Sequence, residues 1–401
     1  MAETVISNFQ AGHSWVKSGV PGTVSNDTSV FKFGTQSLKL VTDGAAGESR
    51  IRWTGVAPAI DFTNRFPLWW IRIDGIANLN RLWLYAFSTA WTAGYTWKPS
   101  DAPSHWLDSA GAGHGSNAVW IPISMSFGKA TITGAPNRAA ITNFQLYAQD
   151  KNATPVTINF GGLHMVDVAA NAGVLTFSFD DCWDSIYNEG YDYLSVHHSF
   201  PGVSYLTSDE IGDANRMSQA NVDAMYAAGW DIAGHGADEL DTVPDVDATL
   251  QAIQAYLNTH SYTRGSKEFA LPGGVWDEPT VMPAVKKYFR SCRTIIPYAE
   301  TRPPGDLYKL RVCEVYNTTT LATVEARVNQ AITNKEWLIL VFHKLVAVPA
   351  ASIEWAIADF QALVDYVEAS GISVKTVSGV MGGVSSATEA MAGRMLSQGL
   401  L

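Results

Sequence analysis

The chain has 401 residues, 47% of them hydrophobic, which is enough for two domains each with its own core. Its formal net charge is −11 and no Lys/Arg run stands out, which argues against nucleic acid as a partner. No stretch approaches the roughly 18 uninterrupted apolar residues of a membrane span, and the opening Met1-Ala2-Glu3-Thr4-Val5-Ile6 lacks the basic and apolar regions of a secretory leader. Cys182, Cys292 and Cys313 are too few and too irregularly spaced for a disulfide framework or a CxxC metal site, so free thiols are expected.

Residues 1–167 carry short alternating or apolar runs at 37–41, 50–53, 68–73, 82–87 and 119–123. Period-two positions follow at Phe144, Leu146 and Ala148, then at Val156, Ile158 and Phe160. Turn formers such as Pro21-Gly22 and Asp43-Gly44 separate them. Strands of this length, without helical periodicity, predict an all-β sandwich or jelly roll. Nine of the 14 tryptophans precede residue 125, so the aromatic rings belong mainly to this half. Trp91, Tyr95, Trp97 and Trp106 fall in a polar, Gly/Ser/Pro-rich stretch from about 88 to 117. Rings in loops either stack on sugar faces or wedge the loop onto the sandwich, and the pattern leaves both open. The run Phe33-Gly34-Thr35-Gln36-Ser37-Leu38-Lys39-Leu40 resembles the early strand of carbohydrate-binding jelly-roll modules.

Beyond Asp167–Gly173 short apolar runs alternate with helical segments, the signature of a βα repeat and a parallel sheet. Strands are expected at 174–179, 202–206, 229–233, 268–271, 291–296, 337–342 and 373–377. The clearest helix is 353–369, with Ile357, Phe360, Leu363, Val364 and Val367 on one face. Seven such strands close a barrel or form an open wound sheet, and in a barrel the chemistry sits at the strand C-terminal ends. Those ends are polar: Asp180-Asp181, then His235 with Glu239 four residues on, then Pro272-Gly273-Gly274, then His343. Adjacent carboxylates either cap the next helix or share a divalent cation that offsets their burial. If 235–239 is helical, His235 and Glu239 lie one turn apart and point at a single ion. Each piece is weak alone; jointly they indicate an active site.

As a set, these residues resemble the polysaccharide deacetylase family, the NodB-homology carbohydrate esterases. Phe179-Asp180-Asp181-Cys182 is similar to its Phe-Asp-Asp-Gly motif, and Gly229-Trp230-Asp231-Ile232-Ala233-Gly234-His235 to half of its second. Phe269-Ala270-Leu271-Pro272-Gly273-Gly274 is similar to its third, and Leu338-Ile339-Leu340-Val341-Phe342-His343 to its last. The departures are Cys182 for Gly, Glu239 for the second metal His, Gly273 for an aromatic residue, and Leu271 where a variant of the third motif has Arg. The resemblance implies a distorted (β/α)7 barrel over 168–383, following the sandwich at 1–167 and followed by a tail, 384–401, with a short helix. It implies a divalent metal held by Asp181, His235 and Glu239: zinc first, with manganese, cobalt or magnesium suited to the more oxygen-rich set. Asp180 is then the general base, His343 the general acid and the Gly273 N–H an oxyanion donor. Leu338 or Leu340 lines the acetyl pocket, and Trp183 and Trp276 are sugar walls or core residues.

The implied reaction is removal of an N-acetyl group, or an O-acetyl group, from a bacterial surface or capsular polysaccharide. Two other classes fit the same residues: a silent barrel that grips glycan through its β module, and a glycosidase pairing Asp180 or Asp181 with Glu239. A glycan enzyme with a β module in front and no leader resembles a phage tail-spike protein. The expected location is therefore extracellular or on a virion, with a homotrimer as one possible assembly.

Overall fold

The computed structural model describes residues 3–100, 117–168 and 172–382, so Trp106 and the expected helix of the tail lie outside the described residues. These residues form two compact units, one comprising those up to Val168 together with Pro304–Asp306, the other the remainder.

The first unit is a sandwich of two antiparallel six-stranded sheets. One sheet runs Thr23–Asp27, Ser37–Val41, Thr157–Asp167, Arg65–Asp74, Trp120–Ser124, with Glu3–Ser7 also paired to Thr157–Asp167. The other runs Thr131–Thr133, Ala93–Trp97, Leu79–Thr89, Asn143–Asp150, Ser49–Trp53, Val16–Lys17. Alternation assigns the faces: Leu82, Leu84 and Ala86, with Phe144, Leu146 and Ala148 opposite them, enter the core, while Arg81, Trp83, Tyr85 and Tyr147 take the other side. Rings of Trp15, Trp69 and Phe144 meet edge to face or tilted at the centre. Tyr95 and Trp97 are not loop rings as the composition suggested. They lie on Ala93–Trp97, both buried, and the Trp97 indole donates to the Ser126 carbonyl at 2.8 Å. The Gly, Ser and Pro around them mark the turns that bound a short strand. Trp91 does sit at a turn, with φ of 60°.

The second unit is a closed barrel of seven parallel strands. They are β1 (Val174–Asp180), β2 (Val203–Leu206), β3 (Asp231–Gly234), β4 (Glu268–Ala270), β5 (Ser291–Pro297), β6 (Leu310–Glu314) and β7 (Trp337–Phe342). β1 closes the ring by pairing with both β2 and β7. Two features differ from the sequence expectation. The segment at 373–377 supplies only the two-residue strand Ser373–Val374, appended to the start of β1. The seventh barrel strand is instead β6, where Arg311 and Glu314 interrupt the apolar run. Arg311 is buried but satisfied by two hydrogen bonds from its guanidinium to Glu300, at 2.7 and 3.1 Å.

Period-two alternation divides each barrel strand between two apolar clusters. Phe177, Phe179, Leu338, Leu340 and Phe342 belong to the cluster shared with the helices, whereas Val203, Tyr205, Val312, Ile339 and Val341 fill the interior. The helix Ile357–Ser370 buries Phe360, Leu363, Val364 and Val367 and stops at Gly371, whose φ of 69° provides the left-handed cap. It starts later than expected because Glu354–Ala356 pairs with Lys344–Val346 as a short strand.

Candidate active site

β1 delivers Asp180 on its inward face, and the chain then turns sharply. Asp181 and Cys182 have φ of 68° and 55°, the left-handed region where glycine is favoured and where each other residue stores roughly 1 kcal/mol or more of strain. The cysteine is held there by packing and by its sulfur, which accepts the Thr207 N–H at 3.0 Å. Burial pushes the thiol well above its ordinary range, so it serves as a structural group. Arg216 fixes the turn from outside, donating to the Asp181 carbonyl and pairing with Glu210 at 2.9 Å. The following helix, Ile186–His197, has no side-chain cap, so the acid pair does not serve as one.

At the end of β3, His235 is buried, and its Nδ1 lies 2.9 Å from the Ala270 carbonyl, which can only accept. That bond puts a proton on Nδ1 and turns Nε2 toward Asp181, whose Oδ1 is 3.5 Å away. Burial alone would raise the Asp181 carboxyl, but the hydrogen bond and charge of His235, with His343 and Arg216 behind it, bring it down to about 2. Burial depresses His235, and the neighbouring carboxylates more than reverse this, leaving its pKa raised.

Asp180 is 4% exposed and ion-paired with Arg293, a buried guanidinium from β5. His343, just past β7, places Nε2 3.9 Å from the same carboxylate. The second Asp180 oxygen, Oδ1, has no protein hydrogen-bond partner. Arg293 also lies over the Tyr205 ring at 4.7 Å. Glu314, at the end of β6, has its carboxyl pushed up by burial, an effect opposed by Tyr316, Arg293 and His343. Neither Arg293 nor Glu314 emerged from strand ends alone. The available signal was a charge at an inward-parity position of an otherwise apolar barrel strand. An arginine is absent at Leu271, yet one arrives at the carboxylate from the next strand.

The structure thus brings Asp180, Asp181, His235 and His343 to one mouth and leaves other expected residues elsewhere. Residues 235–239 are not helical, and Glu239 is exposed with its carboxylate against Gly273, where an added Cβ would sit 2.4 Å from Oε1. Among the described residues, no three His, Cys, Asp or Glu side chains gather to hold a metal ion. Gly273 itself is exposed with φ of 59°, on the turn Pro272–Gly274. Trp276 is 1% exposed and belongs to the helix-side core, so it offers no face to a sugar. Leu338 and Leu340 share the parity of Phe342 and lie under the helices, so they cannot line a pocket at the mouth. Trp183 remains at the rim, half-buried, with Arg216 and Lys344 over its ring at 3.9 and 5.0 Å.

The residues fit a divalent cation as a two-ligand bite. Oδ1 of Asp181 and Nε2 of His235 are spaced so that an ion about 2 Å from each spans them, and the Ala270 carbonyl orients the imidazole as a supporting partner does. Glu239, where it stands, adds no third ligand.

No known family profile matches the sequence, and no curated protein matches it. Solved structures similar to the chain include a Bacillus subtilis peptidoglycan deacetylase, 14% identical, covering 57% of this chain and 98% of that one with a TM-score of 0.37. A family 4 acetyl xylan esterase from Clostridium thermocellum, in complex with a cobalt ion, is 13% identical over 52% and 90% of the two chains, with a TM-score of 0.37. A family 11 carbohydrate-binding module of the same organism, in complex with a β-1,3-1,4-linked tetrasaccharide, is 8% identical over 41% and 95%, with a TM-score of 0.31.

Proposed function

We propose that the barrel removes acetyl groups, N-linked or O-linked, from a bacterial surface or capsular polysaccharide. The observation that carries this reading is the convergence at one mouth of the Asp181–His235 bite with Asp180 and His343. Asp181 and His235 would hold a divalent metal, zinc first, with manganese, cobalt or magnesium as alternatives. Such an ion polarises an acetyl carbonyl and acidifies a water. Asp180 accepts the proton of the attacking water: its Oδ1 is uncommitted, and Arg293 offsets the buried charge through the other oxygen. His343 protonates the departing nitrogen or oxygen through Nε2, the ring atom that faces Asp180. Trp183, at the rim with Arg216 and Lys344 over its ring, borders the sugar path.

Replacing Asp180 by Asn tests the assignment. Acetate release from an acetylated polysaccharide should fall to background while bound metal is retained; undiminished release removes Asp180 from the reaction. One observation favours a second reading, a barrel that only grips glycan: the missing third ligand among the described residues. Stoichiometric metal in the purified protein, together with acetate release, decides against it.

A further inference from the structure

Arg293 reaches Asp180 from across the barrel. The two sit on β5 and β1, which β6 and β7 separate on one side and β2, β3 and β4 on the other. The long side chain therefore runs through the interior. Its register partner on β4 is Ala270 and the inward residue of β3 is Ala233, both too small to block it. Beyond them lies Tyr205. Alternation in Val203-Ser204-Tyr205-Leu206 turns its ring inward with Val203, and register sets it between Asp180 on β1 and Ala233 on β3. The ring is fully buried, and the Arg293 guanidinium carbon lies 4.7 Å from its centroid. That is inside the roughly 6 Å over which a cation is drawn to an aromatic face, an attraction strongest where water is excluded. Nε of Arg293 and the Tyr205 hydroxyl each lack a hydrogen-bond partner in the protein. Two contacts thus aim the guanidinium: the Asp180 carboxylate at its edge and the Tyr205 ring at its centre. Burial pushes the phenol well above its ordinary range, against the pull of Arg293, so the hydroxyl keeps its proton and is no base.

Filling space needs only volume, which Val203, Ile339 and Val341 supply elsewhere in the interior. Seating a cation needs an electron-rich face. We infer that Tyr205 is a positioning residue for the deacetylation proposed above: its ring seats the Arg293 guanidinium, which holds the Asp180 carboxylate at one heading with Oδ1 open to water. The inference rests on the reading of Asp180 as the base. Without the seat, the long Arg293 side chain regains rotamers and Asp180 follows it, so the base spends time at headings from which the attacking water is out of reach. Tyr205 lies below the mouth, so its loss acts on the reaction step and leaves substrate binding alone.

The test is a series of replacements of Tyr205 in the full, zinc-loaded chain, with acetate release from a tetramer of N-acetylglucosamine and from acetylated xylan as the probes. Tyr205→Leu should lower kcat about tenfold at unchanged KM and unchanged bound metal, and Tyr205→Phe, which keeps the ring face, should restore most of that loss. Replacing Tyr205 by trifluorophenylalanine keeps the shape but drains the face of negative charge, and should cost about as much as leucine. A space-filling ring predicts no loss on fluorination; that result, or a loss carried in KM, overturns the inference. Urea unfolding reads the contact without the reaction. Fluorination should lower the midpoint where Arg293 is present and leave it unmoved beside Arg293→Met, or beside Asp180→Asn with Arg293→Met where the single variant does not fold. Equal lowering in both backgrounds overturns the seat. If the unaltered chain releases no acetate from either probe while the unfolding difference stands, the proposed reaction is overturned, and the positioning role with it, but not the contact of Tyr205 with Arg293.

Discussion

The ion pair of Asp180 and Arg293 is buried at both ends, with the two side chains 5% and 1% exposed. Such a pair adds little net stability against an apolar replacement, but removing one partner leaves an uncompensated charge. Arg293→Met is therefore expected to cost about 3–5 kcal/mol in urea unfolding of the barrel. Substituting Asp180→Asn in the same background should recover part of that loss, because the unpaired carboxylate is gone. Metal affinity separates the other two expected ligands. His235→Ala should weaken it by more than about tenfold, since even supporting partners of a ligand contribute that much. Glu239→Ala should leave it within about threefold, as for an exposed side chain without a role in the site. Equilibrium dialysis reads both, and a large loss on removing Glu239 would mean that its carboxylate swings inward to complete the site.

Among the elements, Thr23–Asp27 ends on a carboxylate that organises the turn after it. Asp27 accepts the N–H groups of Ser29 and Val30 at 2.9 and 3.0 Å, with Asn159 and Lys39 alongside. Burial opposes its ionisation, but these bonds outweigh it and hold the pKa at about 2, below the ordinary 3.8. The folded state thus favours the ionised form, so its contribution is full above about pH 4 and is lost as pH falls through about 2. The stability of the sandwich should show this acid limb in pH-dependent unfolding, and Asp27→Asn should flatten it. The barrel elements also show what the sequence disclosed. The strands carrying Asp180, His235 and His343 were legible because their apolar runs end on polar residues. β6 was not, because Arg311 faces the helix side, where apolar residues are the rule, and only its distant partner Glu300 makes that acceptable. The placement of Leu338 and Leu340 failed for another reason: a strand apolar on both faces carries no alternation. The parity was nonetheless recoverable from His343, which shares a face with Val341 and so sends the leucines the other way. The convergence of Glu239 failed because a helical spacing was assumed where the chain forms an irregular turn.

For the whole molecule, each of the two units holds an apolar core of its own. Scanning calorimetry should accordingly resolve two transitions. Zinc at about a hundred times its dissociation constant should raise only the barrel transition, by the equivalent of about 2.7 kcal/mol; an equal rise in both would place the ion elsewhere. Closure of the ring has one more consequence. A sheet curled back on itself leaves no open border for a stray strand to zip onto, and one sandwich sheet tapers to flanks of three and two residues, Thr131–Thr133 and Val16–Lys17. The barrel and this sheet thereby offer crowded copies few templates on which fibrils start, and the surplus of negative charge keeps the copies apart.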